Sequence, residues 1–112
     1  MKSLWAQYSE ELRGTQFIEK DYGFISWSIM EECIYLEDIY VIPSRRKEGL
    51  ALSLVEEAEE YGRKAGKPFS MAVIQLANNG HVESLKAHLA AGFTPFMVEH
   101  GKIWLKRSIK EK

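Results

Sequence analysis

The sequence predicts an α/β (α+β) fold in which a mixed, mostly antiparallel central sheet carries flanking helices. Six short apolar segments have the length and composition of strands, and three segments repeat apolar residues at helical spacing. Their order along the chain is α-β-β-β-α-β-α-β-β. Hydrophobic residues make up 46% of the 112 residues, so residues 1–112 can bury the core of one domain.

The first half of the chain is predicted to hold one helix and three strands. Ser3 can cap a helix over residues 3–13, which Gly14 ends. Its apolar side chains recur at helical spacing, at Leu4, Trp5, Tyr8 and Leu12. The strands that follow span residues 15–20, 24–30 and 33–42. The first two strands form a hairpin, and Pro43 ends the third.

An amphipathic helix over residues 49–65 is the clearest element of the second half. Its apolar stripe consists of Ala51, Leu54, Val55, Ala58, Tyr61 and Ala65. Its predicted solvent face consists of Glu56, Glu57, Glu59, Glu60 and Arg63. Because crossovers are right-handed, the next strand, residues 69–76, is predicted to lie parallel to the strand over 33–42.

The remaining residues are predicted to form a helix and a closing hairpin. The helix spans residues 81–91 and ends at Gly92. Its predicted core stripe consists of Val82, Leu85 and Leu89. Strands over residues 93–99 and 102–109 then pair across a tight turn.

Composition and charge restrict the class of function. The formal net charge of −1 argues against a protein that coats nucleic acid. Cys33 is the only cysteine, so no internal disulfide can form and nothing indicates an oxidising compartment. The sequence lacks a signal-peptide core and an apolar run of membrane-spanning length. We therefore expect a cytoplasmic protein with no membrane or nucleic-acid partner.

A short basic loop lies between the strand over 33–42 and the helix over 49–65. Arg45, Arg46 and Lys47 supply positive charge, and Gly49 lets the backbone approach a ligand closely. The unpaired N–H groups at the start of the helix add about half a positive charge. This order predicts a phosphate site; the alternative is a solvated turn before an ordinary helix.

This segment resembles the acyl-CoA pyrophosphate loop of the GNAT-type N-acetyltransferases. The loop pattern Val-x-Pro-x-x-Arg-x-x-Gly-x-Ala is matched by Val41, Pro43, Arg46, Gly49 and Ala51. The strand at residues 35–41 is most similar to spermidine/spermine-type members, and the Gly-Phe pair at 92–93 matches a later family signature. The resemblance covers about residues 15–109. It implies the GNAT acyl-CoA N-acyltransferase fold, with acetyl-CoA as co-substrate for direct attack by a primary amine.

The resemblance also implies which residues contact acetyl-CoA. The matching positions are Ile39, Tyr40, Val41, Arg46, Lys47, Glu48, Gly49, Leu50, Ala51, His81 and Ser84. Three of them depart from the usual family residue. Glycine is common at the position of Lys47, glutamine or lysine at Glu48, and asparagine at His81.

Glu37 and Asp38, on the strand over 33–42, are placed to act on an amine. A primary amine with a pKa near ~10.4 must lose a proton before it attacks, and a positioned base helps. Strand periodicity predicts that the two side chains lie on opposite faces. By resemblance, Glu37 is the base or the amine-binding carboxylate and Asp38 is structural. Alternatively, both are strand-end charges that reach water.

A histidine stands where most family members have a tyrosine near the end of the helix over 81–91. His88 lies on one helical stripe with His81 and Ser84. By resemblance, His88 protonates the CoA thiolate or orients the thiol; alternatively, it is a packed histidine. A zinc site of His81, His88 and Cys33 is not expected, because a second pair of closely spaced ligands is missing.

Full-length family members begin with a strand and two helices, whereas one helix precedes the first strand here. The resemblance therefore predicts a more open acceptor site, which admits a small polyamine-like amine or a protein lysine or N-terminus. An uncovered face also predicts a homodimer. The candidate interface residues are Trp5, Trp27 and Trp104.

Two other functions stay open. The first is a catalytically degenerate acyl-CoA-binding or protein-interaction module of the same fold, which Lys47, Glu48 and His88 favour. The second is a nucleic-acid binder that uses the basic loop and a basic tail over residues 106–112. It is disfavoured because the chain has no known reading motif.

Overall fold

The computed structural model describes residues 3–109, except the side chains of Ser9 and Arg13, and has the predicted order of elements. The helices are α1 (Leu4–Arg13), α2 (Leu50–Lys64) and α3 (His81–Ala90). The strands are β1 (Gln16–Lys20), β2 (Gly23–Ile29), β3 (Ile34–Val41), β4 (Phe69–Gln75), β5 (Thr94–Glu99) and β6 (Lys102–Ser108). Every boundary lies within about one residue of its prediction. The end of the predicted basic tail, residues 110–112, lies outside the described residues.

All the described strands belong to one sheet, in the order β1-β2-β3-β4-β6-β5. Strands β3 and β4 are parallel, with α2 in the connection between them, and the other neighbouring pairs are antiparallel. Strand β6 lies between β4 and β5, and His100 and Gly101 form the left-handed turn of their hairpin. The mixed, mostly antiparallel sheet and its parallel pair are confirmed.

The parallel strands β3 and β4 separate soon after they meet. Their pairing ends where Leu36 lies opposite Ala72. Strand β3 then continues to Val41, and β4 continues to Gln75. In the described part of the chain, the edge of β3 that faces β4 beyond Leu36 therefore has no strand partner. This separation opens a cleft in the middle of the sheet.

The main core lies between α2 and the sheet. Its buried hydrophobic residues are Ile25, Trp27, Ile34, Leu36, Val41, Leu54, Val55, Ala58, Ala72, Ile74, Phe93 and Leu105. Tyr61, predicted in the apolar stripe, is half-exposed, and its ring centroid lies 5.2 Å from that of Trp27. Because Trp27 is fully buried, its prediction as an interface residue is wrong.

The predicted solvent face of α2 contains one buried residue, Glu59. This side chain is only 7% exposed, so its prediction as a solvent-facing residue is wrong. Its carboxylate pairs with the guanidinium of Arg107 on β6 and accepts a hydrogen bond from the Ser70 hydroxyl on β4 at 2.6 Å. Burial raises the pKa of Glu59, and the contacts with Ser70 and Arg107 oppose that shift. Helical periodicity could not reveal these partners, because they come from other elements.

The outward faces of α1 and α3 carry apolar side chains. Val82 and Leu89 are each 46% exposed, so their prediction as core residues is wrong. Leu85 does pack against the core, since it faces the sheet. On α1, Ala6 is the buried residue. The large side chains that α1 exposes are Leu4, Trp5, Tyr8 and Leu12.

Candidate active site

The gap between β3 and β4 forms a cleft of about 330 Å³. Residues 35–39 of β3 form one wall, and residues 72–75 of β4 form the other. The turn at residues 78–80 and one side of α3 complete the lining. The cleft therefore brings together groups that are far apart in sequence.

A β-bulge in β3 sets the positions of two carboxylates in this cleft. The β2–β3 register passes from Trp27 opposite Leu36 to Ser26 opposite Asp38, which leaves Glu37 as an extra residue. Glu37 and Asp38 are both exposed, and both border the cleft. The prediction that they lie on opposite faces is therefore wrong, because the inserted residue breaks the two-residue period.

Tyr35 lies close to both carboxylates. Burial raises the pKa of the Tyr35 phenol, and the negative charges of Glu37 and Asp38 raise it further. The phenol therefore stays protonated at neutral pH and can donate a hydrogen bond into the cleft. Sequence reasoning missed Tyr35, although its spacing of two residues from Glu37 is a usable signal.

The Glu37 carboxylate is held by hydroxyl groups from two other parts of the sheet. The Ser28 hydroxyl on β2 donates to Oε2 at 2.6 Å, and the Thr15 hydroxyl, just before β1, donates to the same oxygen at 2.9 Å. Thr15 is buried, which limits its own mobility. Neither hydroxyl engages Oε1, which can therefore meet a ligand.

His88 borders the cleft in a fixed tautomer. Its Nδ1 lies 2.7 Å from the carbonyl oxygen of Ser84, which can only accept, so Nδ1 carries the proton. The ring also packs edge-on against Phe93, with centroids 5.2 Å apart. Burial lowers the pKa of His88, and the bond to Ser84 opposes this shift. The ring is therefore neutral at pH 7, with Nε2 as a hydrogen-bond acceptor.

His81 and Ser84 lie in the first turn of α3, on the cleft side. Nδ1 of His81 donates to the carbonyl oxygen of Asn78 at 3.0 Å. No side chain caps this helix at Gly80, so its first N–H groups have no capping partner within the helix. Both side chains therefore lie beside amide donors at the cleft.

The loop after β3 is organised by two arginines. Nε of Arg46 donates to the carbonyl oxygen of Val41 at 2.8 Å, and its guanidinium lies 5.6 Å from the centroid of the Tyr40 ring. Nε of Arg45 donates to the Glu48 carboxylate at 3.1 Å. The negative charge of Glu48, which would repel a diphosphate, is thus partly balanced by Arg45.

Two residues of this loop have a left-handed backbone. The φ angle is 69° at Lys47 and 79° at Gly49. A residue without Cβ adopts this conformation at little cost, whereas a side chain is strained there. The backbone conformation thus explains why glycine suits the position of Lys47 in similar loops.

The first turn of α2 presents free amides next to this loop. The first hydrogen bond within the helix runs from the Ser53 N–H to the Gly49 carbonyl oxygen at 3.1 Å, and no side chain caps the helix. The N–H groups of Leu50, Ala51 and Leu52 therefore have no acceptor within the helix. Together with the positive charges of the loop, these donors fit a diphosphate.

The structure divides the predicted site residues between the cleft and the loop. Those that border the cleft are Glu37, Ile39, His81, Ser84 and His88. Those that lead from β3 into α2 are Tyr40, Val41, Arg46, Lys47, Glu48, Gly49, Leu50 and Ala51. Sequence reasoning missed Gln75, Asn78 and Asn79 of the cleft lining. The Asn-Asn-Gly turn before α3 was a usable signal for two of them.

Three other findings concern a metal site, a cysteine nucleophile and a membrane-spanning helix. Within residues 3–109, no group of three or more His, Cys, Asp or Glu side chains could hold a metal ion. Cys33 is free and buried, and burial raises the pKa of its thiol, as in a core cysteine rather than a nucleophile. Among the described helices, none is long and apolar enough to cross a membrane.

Comparison with known proteins assigns the chain to a family. Residues 2–93 match the family model described as the acetyltransferase (GNAT) family. The protein therefore belongs to the GNAT acetyltransferases, whose acetyl donor is acetyl-CoA. The predicted family is confirmed.

The chain is 41% identical over 80 residues to aminoglycoside N(6′)-acetyltransferase type 1 of Klebsiella aerogenes, a match that covers 64% of this chain and 51% of that protein. The chain thus spans about half the length of this relative.

Two solved structures share the fold. One is a protein assigned to the GNAT family from Desulfovibrio desulfuricans, with a TM-score of 0.76 at 20% identity, covering 92% of this chain and 76% of the other. The other is PaiA N-acetyltransferase from Thermoplasma acidophilum in complex with coenzyme A, with a TM-score of 0.72 at 18% identity, covering 91% of this chain and 65% of the other.

Proposed function

We propose that the protein transfers the acetyl group of acetyl-CoA to a primary amine by direct attack. The observation that carries this proposal is the cleft where β3 and β4 separate, with an unpaired strand edge that leads to the free amides of α2. Backbone groups of Ile39, Tyr40 and Val41 would pair with the extended arm of the co-substrate. The loop from Arg46 to Ala51 would bind its diphosphate.

Glu37 and Asp38 act on the amine in this proposal. Their charges attract a primary ammonium, and Glu37 accepts one of its protons, directly or through water. The neutral nitrogen then attacks the carbonyl carbon of the thioester. As the new N–C bond forms, the C–S bond breaks and the thiolate leaves.

His88 moves the second proton. After the attack, the nitrogen carries one proton too many, and the leaving sulfur, with a reference pKa near ~8.5, gains one. The unprotonated Nε2 accepts the proton from nitrogen, and the imidazolium then donates it to sulfur. The ring returns to its neutral state, so His88 acts as an acid only after it has acted as a base.

An aminoglycoside is the first acceptor to test, because the relative that is 41% identical carries that name. Aminoglycosides and polyamines both bear several ammonium groups, which suit a cleft that two carboxylates border. Lysine peptides form the third class of acceptor to test.

Calorimetric titration with acetyl-CoA, followed by a thiol-release assay over these amines, tests the proposal. Gly49→Trp should abolish acetyl-CoA binding, because the indole would occupy the loop. Glu37→Gln should lower kcat by roughly 100-fold with little change in acetyl-CoA affinity. Thr94→Val, on the edge strand β5 and outside the cleft, is the control. No heat at millimolar acetyl-CoA would exclude the function, and binding without turnover would favour a degenerate acyl-CoA-binding module.

We also propose a homodimer and a cytoplasmic location. The apolar side chains that α1 exposes, with Trp5 at 54% exposure, support an interface between two copies. The unpaired Cys33 suits a reducing compartment. Light scattering at micromolar concentration would test the dimer, and a monomeric mass would exclude it.

A further inference from the structure

Three hydroxyl groups, those of Thr15, Ser26 and Ser28, surround the bulge that carries Glu37 and form a hydroxyl cradle. Oγ of Ser26 accepts a hydrogen bond from the Asp38 N–H at 3.1 Å, which satisfies a backbone donor displaced by the bulge. Ser28 and Thr15 instead donate to the Glu37 side chain, at 2.6 and 2.9 Å. One member of the cradle thus supports the backbone, and two support the carboxylate.

The Glu37 carboxylate does not need its two hydrogen bonds to be satisfied. The side chain is exposed, so water alone could solvate the carboxylate. An exposed glutamate normally samples several rotamers. Here two donors from separate segments converge on one oxygen, which restrains the carboxylate in one orientation at the edge of the cleft.

We infer that Thr15 and Ser28 are positioning residues that fix the Glu37 carboxylate, so that Oε1 alone meets the acceptor amine. This inference rests on the proposed acetyl transfer. Two hydroxyl donors occupy Oε2, and the ammonium must therefore approach the other oxygen. A fixed approach places the nitrogen on one path towards the thioester carbon, which favours attack.

Through Thr15, the junction of α1 and β1 takes a role in the reaction. Thr15 follows Gly14, the residue that ends α1 in a left-handed conformation with its N–H bonded to the Glu10 carbonyl oxygen. The end of α1 therefore determines where the Thr15 hydroxyl lies. The position of Glu37 then depends on three separate segments: this junction, β2 and β3.

The test compares variants that remove each hydroxyl with variants that keep it. Thr15→Val and Ser28→Ala remove the donors, whereas Thr15→Ser and Ser28→Thr retain them. Each removal should lower kcat/KM for the amine roughly tenfold, as expected for a lost hydrogen bond to a charged group, with acetyl-CoA affinity unchanged in calorimetry. The retaining variants should stay near wild type. Thr94→Val, the same change on β5, should have no effect.

Two results separate positioning from a general structural role. In a Glu37→Gln background, removal of both hydroxyls should cause little further loss of kcat/KM, since the positioned carboxylate is already gone. A loss as large as in wild type would overturn the inference, as would full activity of the Thr15→Val/Ser28→Ala double variant.

A crystallographic measurement keeps the inference testable if the proposed function itself fails. If wild type turns over no amine, the acetyl transfer is refuted, and crystal structures of wild type and the double variant decide the inference. The Glu37 carboxylate should have one conformer in wild type and several in the variant. The same single conformer in both would overturn the positioning role.

Discussion

Nδ1 of His88 lies 2.7 Å from the carbonyl oxygen of Ser84, one turn earlier in α3, and this contact makes Nε2 the nitrogen that titrates. A tyrosine at this position would begin as a hydrogen-bond donor, whereas the neutral histidine begins as an acceptor. In the proposed reaction the replacement therefore changes the order of the proton transfers and does not remove them.

The lowered pKa of His88 predicts a loss of stability at acidic pH. In the unfolded chain this residue takes up a proton at its ordinary pKa of 6.5, but the folded state resists protonation because the ring is partly buried. The unfolded state therefore binds more protons below pH 6.5. The stability that His88 contributes is fully present above this pH and is lost as the pH falls through the folded-state pKa.

Urea unfolding over a series of pH values checks this prediction. His88→Gln should flatten the slope of the unfolding free energy against pH below 6.5. His100→Gln, the same change on the exposed β5–β6 turn, is the matched control. Equal slopes in His88→Gln and wild type would contradict the predicted linkage.

The ion pair between the buried Glu59 and the partly buried Arg107 predicts a large loss of stability for one substitution and almost none for two. Arg107→Met leaves a buried carboxylate without its counter-charge and should lower the unfolding free energy by about 3–5 kcal/mol at pH 7. Replacing both residues by methionine should be close to neutral. The Ser70 hydroxyl lies 3.4 Å from the backbone carbonyl oxygen of Arg107 in the wild type, an acceptor that the double substitution does not remove.

The raised pKa of Glu59 also determines whether folding stability rises or falls with pH. The folded state binds the Glu59 proton more readily than the unfolded chain, whose ordinary value is 4.5. The stability from this group is therefore fully present below pH 4.5 and is lost as the pH rises through the raised pKa. Urea unfolding of Arg107→Met should show a smaller loss at pH 4.5 than at pH 7; an equal loss would contradict this account.

The type and order of the elements follow from local patterns, but the details of the site do not. Residues 49–65 have their own apolar period, so α2 is predictable without its neighbours. The bulge at Glu37 depends on the pairing of β3 with β2, and the insertion of β6 beside β4 depends on the whole sheet. For the same reason, the burial of Glu59 and the exposure of Val82 could not be predicted.

Lys47 and Gly49 both have a left-handed backbone, so glycine should be more stable than a residue with a side chain at either position. Both have positive φ, and a Cβ added at Gly49 would meet no atom within 4 Å, so the cost there is conformational. Gly49→Ala should lower the unfolding free energy by about 1 kcal/mol. Lys47→Gly should raise the unfolding free energy by roughly 0.5 kcal/mol. The relief of left-handed backbone strain should exceed the cost of the greater conformational entropy that glycine gives the unfolded chain.

Thermal and urea unfolding of both variants measure these changes. Lys64→Gly, near the end of α2, is a control in which glycine replaces lysine in a helical backbone and should destabilise. A stabilised Gly49→Ala variant would show that the left-handed conformation is absent in solution.

Ser26 predicts how strongly the bulge depends on a side chain. Its hydroxyl is the acceptor for the Asp38 N–H at 3.1 Å, and the residue is 1% exposed. Ser26→Ala should therefore lower the unfolding free energy by about 1 kcal/mol, since the Asp38 N–H loses its acceptor in a partly buried hydrogen bond. It should also speed hydrogen exchange of the Asp38 amide, measured by NMR.

Ser53→Ala, which removes an exposed hydroxyl from α2, should change stability by less than about 0.5 kcal/mol. Slow exchange of the Asp38 amide in Ser26→Ala would mean that the backbone of the bulge is held without this hydroxyl.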